Sequence, residues 1–481
     1  MKPGKKYYML LMATVAVYFM ASKMVFDKVN ETSKVVIDEL FHIPQGLSCC
    51  NGNFSYWDPK ITTLPGLYLV TAAFIGSYIP CDTYNLRFIN LVASCLNLIL
   101  FSSILQFIYG NQNKSQFKII LQALNLALLP PLYFFSHVYY TDTLSLLFLL
   151  MFSTLCFINK SKYFIFIFGV LSVLMRQTNV VWIAMVFGHK ILDILIRSSR
   201  VFGNRYLTNT TLSKRSLIAR DIDASKLKRY YGISDVYIAL KYHLSTFFTT
   251  TFQFITVTDW FVIIQQLTIM ILFVVFVYLN GSIVVGDKDS HTATLHLPQL
   301  LYFLLFYGVF GIPYVLMKLM STLKLLFRNK LLSVLIAGVF LFAVHYNTEV
   351  HPYILADNRH YTFYIWNRWY GKYDYAKYAT VPLYVFLLFS LYDNLKDQNC
   401  ISFLLPYSMC LFLALALQRL VEIRYFLIPY IILRLRFVRP SLETVLLEFV
   451  WYVVLNVITF YIFFTKEIVW SDFSEFQRII W

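Results

Sequence analysis

The sequence has 481 residues, of which 59% are hydrophobic and only 14% are charged. A soluble domain contains about 25% charged residues, so this composition, with its helix-length apolar runs, excludes an ordinary soluble protein. The net charge is +16, but the basic residues lie between the apolar runs, where topology signals explain them better than nucleic-acid binding does, so no nucleic-acid partner is expected.

Apolar runs of crossing length recur along the chain and predict an all-α polytopic membrane protein. A bilayer-spanning helix needs about 20 apolar residues, and it satisfies its own backbone polar groups. The predicted crossings are 7–26, 85–109, 118–135, 143–158, 162–176, 178–196, 260–280, 298–317, 331–346, 379–393, 401–417, 423–433 and 445–464. One more could lie at 244–258, so we expect about 12–14 transmembrane helices and leave the side of the C-terminus open.

The basic residues orient these crossings. Three lysines precede the first run, so the first helix should run from cytosol to lumen. The most basic linker, 197–243, is predicted to be cytosolic, and it separates an N-terminal membrane half, 1–196, from a C-terminal half, 244–481. Further basic residues at 318–330 and 434–439 mark two more cytosolic loops. The lumenal segments are then 27–84, 136–142, 281–297 and 347–378.

Two features of the sequence depend on this topology. Sequons for N-glycosylation at Asn30, Asn53 and Asn280 fall on the lumenal side, and those at Asn113 and Asn209 do not. Adjacent cysteines at 49 and 50 leave a vicinal disulfide open, but two unpaired thiols are favoured.

The first lumenal segment carries an acidic pair, Asp38 and Glu39. Carboxylates are ionised at neutral pH, and one within hydrogen-bond reach of a sugar hydroxyl can act as a general base. The alternative is that Asp38 caps a short helix that begins at Glu39.

Two further polar positions lie at the lumenal ends of predicted crossings. Asp142 opens a crossing and could either cap it or bind substrate. Arg176, in the sequence Arg-Gln-Thr-Asn that ends at Asn179, lies between two apolar runs. Its guanidinium could capture a lipid phosphate, or it could pair with a nearby acid.

The segment 351–366, HPYILADNRHYTFYIW, is the most distinctive in the chain. An aromatic belt at the membrane surface would explain its tyrosines and tryptophan but not its Asp-Asn-Arg-His core. Arg359 and His360 could stabilise a phosphate leaving group, and the aromatic rings could stack on sugars.

No phosphate-binding glycine loop, dinucleotide fingerprint or zinc-protease motif occurs. We expect neither a metal nor a cofactor. No soluble stretch is long enough to bind a nucleotide sugar, so an activated sugar would have to arrive on a lipid carrier.

Together these motifs resemble the dolichyl-phosphate-glucose α-1,2-glucosyltransferase family. The resemblance rests on DELFHIPQ, TTLPGLY, YTDTLS, RQTNVVW, GDKDSHTATLHLPQLLYF, HPYILADNRHYTFYIW and EIRYFLIPYIILRLR, in order from about residue 38 to 436. It implies the architecture of C-type glycosyltransferases, with lumenal loops forming the active site in the endoplasmic reticulum membrane. It also implies dolichyl-phosphate glucose as donor, a diglucosylated dolichyl-pyrophosphate oligosaccharide as acceptor, and inversion at the anomeric carbon.

The resemblance places the catalytic base on Asp38 or Glu39. Neighbours on a helix point about 100° apart, so only one can face the acceptor, and Asp38 is preferred. The residues expected to bind the donor phosphate are Arg359, His360 and Arg176. Those expected to bind substrate are His42, Trp57, Asp58, Asp142, Asn179, His351, Asp357, Asn358 and Tyr361.

Two alternative functions stay open at this point. A lipid-linked-sugar transporter or flippase would also use membrane-embedded charges, although the paired halves typical of transporters are not visible in the sequence. A related dolichol-dependent mannosyl- or glucosyltransferase would share the architecture.

Overall fold

The structure is a computed structural model, and it describes the whole chain except residues 1–3, 77, 110–115, 158–161, 204–236, 238–239, 242–254, 289–292, 397–399, 438–439 and 471–475. The predicted basic loop 197–243 lies mostly outside the described residues, as do the sequons at Asn113 and Asn209.

The described residues form α-helices joined by turns and two isolated β-bridges. The helices are α1 (Lys5–Thr32), α2 (Glu39–Cys50), α3 (Gly66–Phe74), α4 (Thr83–Tyr109), α5 (Gln116–Ala127), α6 (Pro130–Phe135), α7 (Asp142–Phe157), α8 (Ile165–Met175), α9 (Asn179–Gly203), α10 (Val257–Asn280), α11 (Pro298–Phe310), α12 (Ile312–Met317), α13 (Leu319–Arg328), α14 (Lys330–Asn347), α15 (Pro352–Ala356), α16 (Tyr361–Ile365), α17 (Ala376–Ala379), α18 (Val381–Leu395), α19 (Ile401–Leu415), α20 (Leu427–Arg434) and α21 (Leu442–Thr465). Single turns of 3₁₀-helix lie at Lys162–Phe164 and Ile423–Phe426, and a π-helical turn lies at Trp366–Tyr370.

Six of these helices are long and apolar enough to cross a membrane: α1, α4, α9, α10, α14 and α21. Four shorter apolar helical segments lie among them within the described residues. The predicted class, an all-α polytopic membrane protein, is therefore confirmed, while the total of about 12–14 crossings stays a prediction.

Several predicted crossings are interrupted helices. The run 118–135 forms α5 and α6 with a break before Pro130-Pro131, because proline lacks the N–H that continues a helix. The run 298–317 is divided in the same way at Gly311, ahead of Pro313. The length and apolar character of each run do not reveal these breaks.

The short helices α2 and α3 pack over the ends of longer ones. Their apolar side chains form a small core with α4, α7 and α8 that includes Ile43, Leu67 and Leu144. The contact between α3 and α8 is close enough to require glycine, since a Cβ on Gly66 would lie 2.5 Å from the backbone carbon of Leu174. This packing holds the first predicted lumenal segment rigidly against the bundle.

The four segments predicted to be lumenal contact one another. Tyr139 in 136–142 donates its backbone N–H to Glu39 over 2.6 Å. Val285 in 281–297 donates its backbone N–H to the carbonyl of Thr62 over 3.2 Å. Asn347, at the start of the 347–378 segment, accepts a hydrogen bond from the backbone N–H of Leu297 over 2.5 Å, so each of the four segments contacts another.

A disulfide corrects the prediction for the cysteine pair. Cys50, at the end of α2, is bonded to Cys81, which lies just before α4, and Cys49 is a buried free thiol. The partner lies 31 residues away, so the spacing of the adjacent pair gave no indication of it.

A second correction concerns Arg434, which the sequence places in a cytosolic basic loop. Arg434 ends α20 and is 1% exposed, and it forms two hydrogen bonds, of 2.6 and 2.7 Å, with the carboxylate of Glu448 in α21. Tyr314 and Asn125 donate to the same carboxylate. Arg434 is therefore part of a buried ion pair within the bundle.

Candidate active site

Asp38 stands at the N-terminus of α2, directly before Glu39. Its side chain makes no capping hydrogen bond to the helix, so the simple capping role is not observed. Its backbone N–H donates to the hydroxyl of Tyr140 over 3.0 Å, and that hydroxyl donates to the carbonyl of Val36. The preceding residue, Ile37, has φ +43°, a conformation that costs a β-branched residue energy and is typical of functional sites.

The carboxylate of Asp38 is 37% exposed and is held by Arg424. The Nη2 of Arg424 lies 3.1 Å from Asp38 Oδ2 and 2.7 Å from the carboxylate of Glu422. Its Nη1 lies 4.0 Å from Asp142. One guanidinium thus joins three carboxylates, and Asp38 is the most exposed of them.

Glu39 occupies a different environment. Its carboxylate is fully buried and accepts two hydrogen bonds from Arg87, of 2.5 and 2.8 Å. The backbone N–H groups of Val36 and Tyr139 also donate to it, so both oxygens are fully used. Arg87 is 1% exposed and binds the backbone carbonyl of Ser33 as well. Glu39 therefore fixes the loop before α2, and the geometry favours Asp38 of the acidic pair as the group that can meet a substrate.

An aromatic wall lies on the other side of Asp38. The Nδ1 of His42 is 2.6 Å from the hydroxyl of Tyr68, and its ring centroid is 5.9 Å from that of Tyr140. Trp57 packs edge-on against Tyr68 with 5.8 Å between ring centroids. The structure thus places His42 where it acts on the charge of Asp38, and it connects Trp57 to His42 through Tyr68. Both His42 and Trp57 are predicted substrate-binding residues.

Arg176 pairs with Asp142, as the alternative interpretation of that arginine proposed. The pair is partly exposed on the arginine side, and the guanidinium lies 5.8 Å from the ring of Tyr425. Arg176 and Arg424 both line a small cavity of about 30 Å³ whose wall includes Trp182. Arg176 therefore remains part of the site although it pairs with Asp142, because it lines the same cavity as Arg424.

The predicted segment 351–366 contributes an ion pair of its own. Arg359 donates to both oxygens of Asp357, over 2.8 Å each, and the Nε2 of His360 lies 3.7 Å from the same carboxylate. Asn358 accepts a hydrogen bond from the indole of Trp470. His351 is buried ahead of α15.

Electrostatics connects this segment to Asp38. Burial raises the pKa of the Asp38 carboxyl, but nearby groups that carry or can take up a positive charge outweigh burial and hold the pKa below its ordinary value. In decreasing order of effect, these groups are Arg424, His42, His360 and Arg359. Burial lowers the pKa of His42, so its imidazole is neutral at neutral pH. Asp38 is accordingly an ionised carboxylate among cations, which suits a base that must be charged before it reacts.

Three further predicted residues make contacts that hold the fold together. Asn179 begins α9 fully buried and donates to Ser145 and to the carbonyl of Ser172. Asp58 accepts from the backbone of Lys60, which shapes the turn after Trp57. The ring of Tyr361 packs on Trp481 with 4.8 Å between centroids.

Sequence reasoning missed Arg424 as a site residue. It lies within EIRYFLIPY, at the edge of the predicted crossing 423–433. An arginine at the end of an apolar run is the same signal that singled out Arg176, so it could have been found.

Comparison with known proteins identifies the family of the chain. The profile of the DIE2/ALG10 family matches residues 32–435, which include Asp38, Asp142, Arg176 and Arg424. The chain belongs to the DIE2/ALG10 family. This confirms the family predicted from the motifs.

Curated relatives cover nearly the whole chain. A Drosophila melanogaster protein is 40% identical over 466 residues, covering 96% of this chain and 97% of its own length. A Rattus norvegicus protein is 35% identical and a Homo sapiens protein 34% identical, each covering 98% of both chains. All three are named Dol-P-Glc:Glc(2)Man(9)GlcNAc(2)-PP-Dol alpha-1,2-glucosyltransferase. No solved structure matches the chain.

Proposed function

We propose that this DIE2/ALG10 family member transfers glucose from dolichyl-phosphate glucose to the diglucosylated oligosaccharide on dolichyl pyrophosphate, forming the terminal α-1,2 linkage. The observation that carries the proposal is the position of Asp38, an exposed carboxylate beside Arg424 where the predicted lumenal segments meet. The names of relatives that match the chain over nearly its full length supply the substrates.

Asp38 is the general base in this mechanism. It takes the proton of the 2-hydroxyl of the acceptor's terminal glucose, and the oxygen attacks the anomeric carbon of the donor from the face opposite the phosphate. The bond from that carbon to the phosphate oxygen breaks, and its electron pair leaves with dolichyl phosphate. One inversion follows, and the proton remains on Asp38 until solvent removes it.

Cations near the leaving group lower the barrier because its phosphate gains negative charge. Arg176 and Arg424 line one cavity, and Arg424 also contacts Asp38, so these two are the better placed of the candidate phosphate ligands. Arg359 is held by Asp357, so it contributes mainly through its fixed positive charge. His360 lies beside the same carboxylate. The hydrogen bond from Arg424 uses only Oδ2 of Asp38, and a carboxylate has about four lone-pair sites, so the base can accept a proton while Arg424 stays bound.

The aromatic wall supports binding of the acceptor. Trp57 packs on Tyr68, and Tyr68 contacts His42. Aromatic rings such as these pack well on the apolar faces of sugars. Tyr361, predicted for the same role, already packs on Trp481, so Trp57 is the stronger candidate.

The site belongs on the lumenal side of the endoplasmic reticulum membrane. The disulfide from Cys50 to Cys81 lies in the segment that carries Asp38, and disulfides persist in oxidising compartments such as the reticulum lumen. Membrane lipids surround the multi-pass body.

The direct test uses purified protein in detergent with synthetic dolichyl-phosphate glucose and the diglucosylated acceptor. Formation of a triglucosylated product in the absence of UDP-glucose, with a terminal glucose released by an α-1,2-specific glucosidase, supports the proposal. Transfer of mannose from dolichyl-phosphate mannose, added in place of the glucose donor, would show a related enzyme. After reconstitution of the protein into liposomes, movement of labelled lipid between leaflets without any transfer would show a flippase.

A further inference from the structure

After the last long helix the structure describes residues 466–470 and 476–481, which together we name the 466–481 segment. Ile468 and Gln477 exchange two backbone hydrogen bonds, of 2.9 and 2.8 Å. Arg478 binds the carboxylate of Glu467 at 3.2 Å and the carbonyl of Phe464 at the end of α21. These contacts fix the segment to α21, although it carries none of the motifs that the sequence analysis singled out.

Its far end pairs with the backbone of the predicted motif. The N–H of Ile480 donates to the carbonyl of Arg359 over 2.8 Å, and the N–H of Tyr361 donates to the carbonyl of Ile480 over 3.1 Å. These two bonds form a parallel bridge around His360. The carbonyl of Trp481 lies 3.3 Å from the Nδ1 of His360.

Its near end reaches the side chains of the same motif through Trp470. The indole N–H donates to Asn358 Oδ1 over 2.8 Å, and the guanidinium of Arg359 lies 4.1 Å from the centre of the indole ring. The Nε and Nη2 of the same guanidinium donate to the carboxylate of Asp357. Arg359 is therefore held between a carboxylate from its own loop and a ring from a segment more than a hundred positions away.

We propose that the 466–481 segment positions the charged residues of the active site, with Trp470 as the positioning residue for Arg359. The motif needs such support, because Asp357 to His360 form a turn between the five-residue helices α15 and α16. Helices this short are not stable by themselves. This inference rests on the proposed glucose transfer for its kinetic consequences only.

Three variants test the proposal. Trp470→Ala removes the ring and the N–H, and Trp470→Phe keeps a ring face but loses the N–H to Asn358. Val469→Ala is the matched control, since Val469 is the neighbouring residue and is 80% exposed. Each is purified as the full chain in detergent and accepted only if its elution profile and thermal midpoint match those of the wild type. If Trp470→Ala fails to fold, it is replaced by Trp470→Phe and Ile480→Pro. Ile480→Pro deletes the backbone N–H that donates to the carbonyl of Arg359.

The first measurement does not depend on transfer. Amide hydrogen exchange of the peptide covering 357–366 should speed up in Trp470→Ala, by on the order of tenfold at Tyr361, and stay unchanged in Val469→Ala. Equal protection in the two variants would overturn the proposal. If the wild type transferred no glucose, the proposed function would fail while this measurement still decided the role of the segment.

The second measurement is kinetic. Trp470→Ala should lower kcat/KM for dolichyl-phosphate glucose on the order of tenfold, because removing the ring removes its attraction for the guanidinium of Arg359. The kcat/KM of Trp470→Phe should lie between those of Trp470→Ala and the wild type. Combined with Arg359→Lys, the loss should be smaller than the product of the two single losses, since both act through one guanidinium. Fully multiplicative effects, or Trp470→Ala kinetics equal to those of Val469→Ala, would show that the segment merely packs.

Discussion

Arg424 donates a hydrogen bond to Asp38 over 3.1 Å, although 386 positions separate the two residues. The fold brings the acid of the first predicted lumenal segment onto a cation at the start of a helical run near the other end of the chain. The contact keeps the carboxylate ionised and oriented before substrate arrives.

Replacing Asp38 by Asn should abolish most transfer without unfolding the protein. The loss of a required general base costs on the order of 10²–10⁴ in rate. The side chain is 37% exposed, so the thermal midpoint should change little. Turnover of Asp38→Asn in detergent, compared with the wild type at equal donor concentration, checks this. Near-normal turnover would remove Asp38 from the role of base.

Replacing its neighbour Glu39 by Gln should instead destabilise the protein. The change leaves the guanidinium of Arg87 buried without its countercharge, and breaking a buried ion pair costs about 3–5 kcal/mol. Thermal unfolding of Glu39→Gln beside Asp38→Asn is a matched comparison of two adjacent carboxylates. A stable but inactive Glu39→Gln would reverse the assignment of the two residues.

The pH dependence of transfer should reveal the charge of Arg424. Because the pKa of Asp38 lies below its ordinary value of 3.8, the base stays almost fully ionised from pH 7 down to about one pH unit above that value. Activity should therefore not fall through protonation of Asp38 in that range. Arg424→Gln removes the largest effect that lowers this pKa and leaves burial, which raises it, so the acid limb of kcat/KM should move to higher pH. Arg424→Lys keeps the charge and should shift the limb less. An unmoved limb in Arg424→Gln would show that Asp38 is not the titrating group.

The sequence predicted those parts of the molecule that depend on local pattern. Run lengths gave the membrane class, and the motif around Asp38 and His42 gave one wall of the site. Long-range pairing left no such trace: nothing near Cys50 indicates Cys81, and Arg434 has the charge expected of a loop residue until the position of Glu448 is known. The sequence does not predict the role of the 466–481 segment for the same reason, since its contacts with 357–361 join residues more than a hundred positions apart.

Glycosylation should occur at the sequon whose asparagine is accessible, and not at the two whose asparagine side chains are bound within the fold. Asn53 is exposed in a turn after α2, where its side chain binds only the nearby Ser55. Asn30 lies within α1 and binds Arg87 and the carbonyl of Phe26, and Asn280 binds the carbonyls of Ser282 and Val284. We expect one glycan, at Asn53. Expressed in cells, Asn53→Gln should lose the mobility shift seen on deglycosylation, while Asn30→Gln and Asn280→Gln keep it. A shift that survives in Asn53→Gln would contradict the assignment of its segment or the accessibility argument.

The buried pair of Arg434 and Glu448 should matter for stability far more than an exposed acid on the same helix. Glu448 is 1% exposed and accepts from Arg434, Tyr314 and Asn125, so Glu448→Gln leaves a buried arginine without countercharge at a cost of about 3–5 kcal/mol. Glu443 is also on α21 but exposed in its first turn, where a carboxylate gains only about 0.3–1 kcal/mol from the helix dipole. The thermal midpoint in detergent should therefore fall clearly for Glu448→Gln and little for Glu443→Gln. Similar midpoints for the two variants would mean that water reaches Arg434 and compensates its charge.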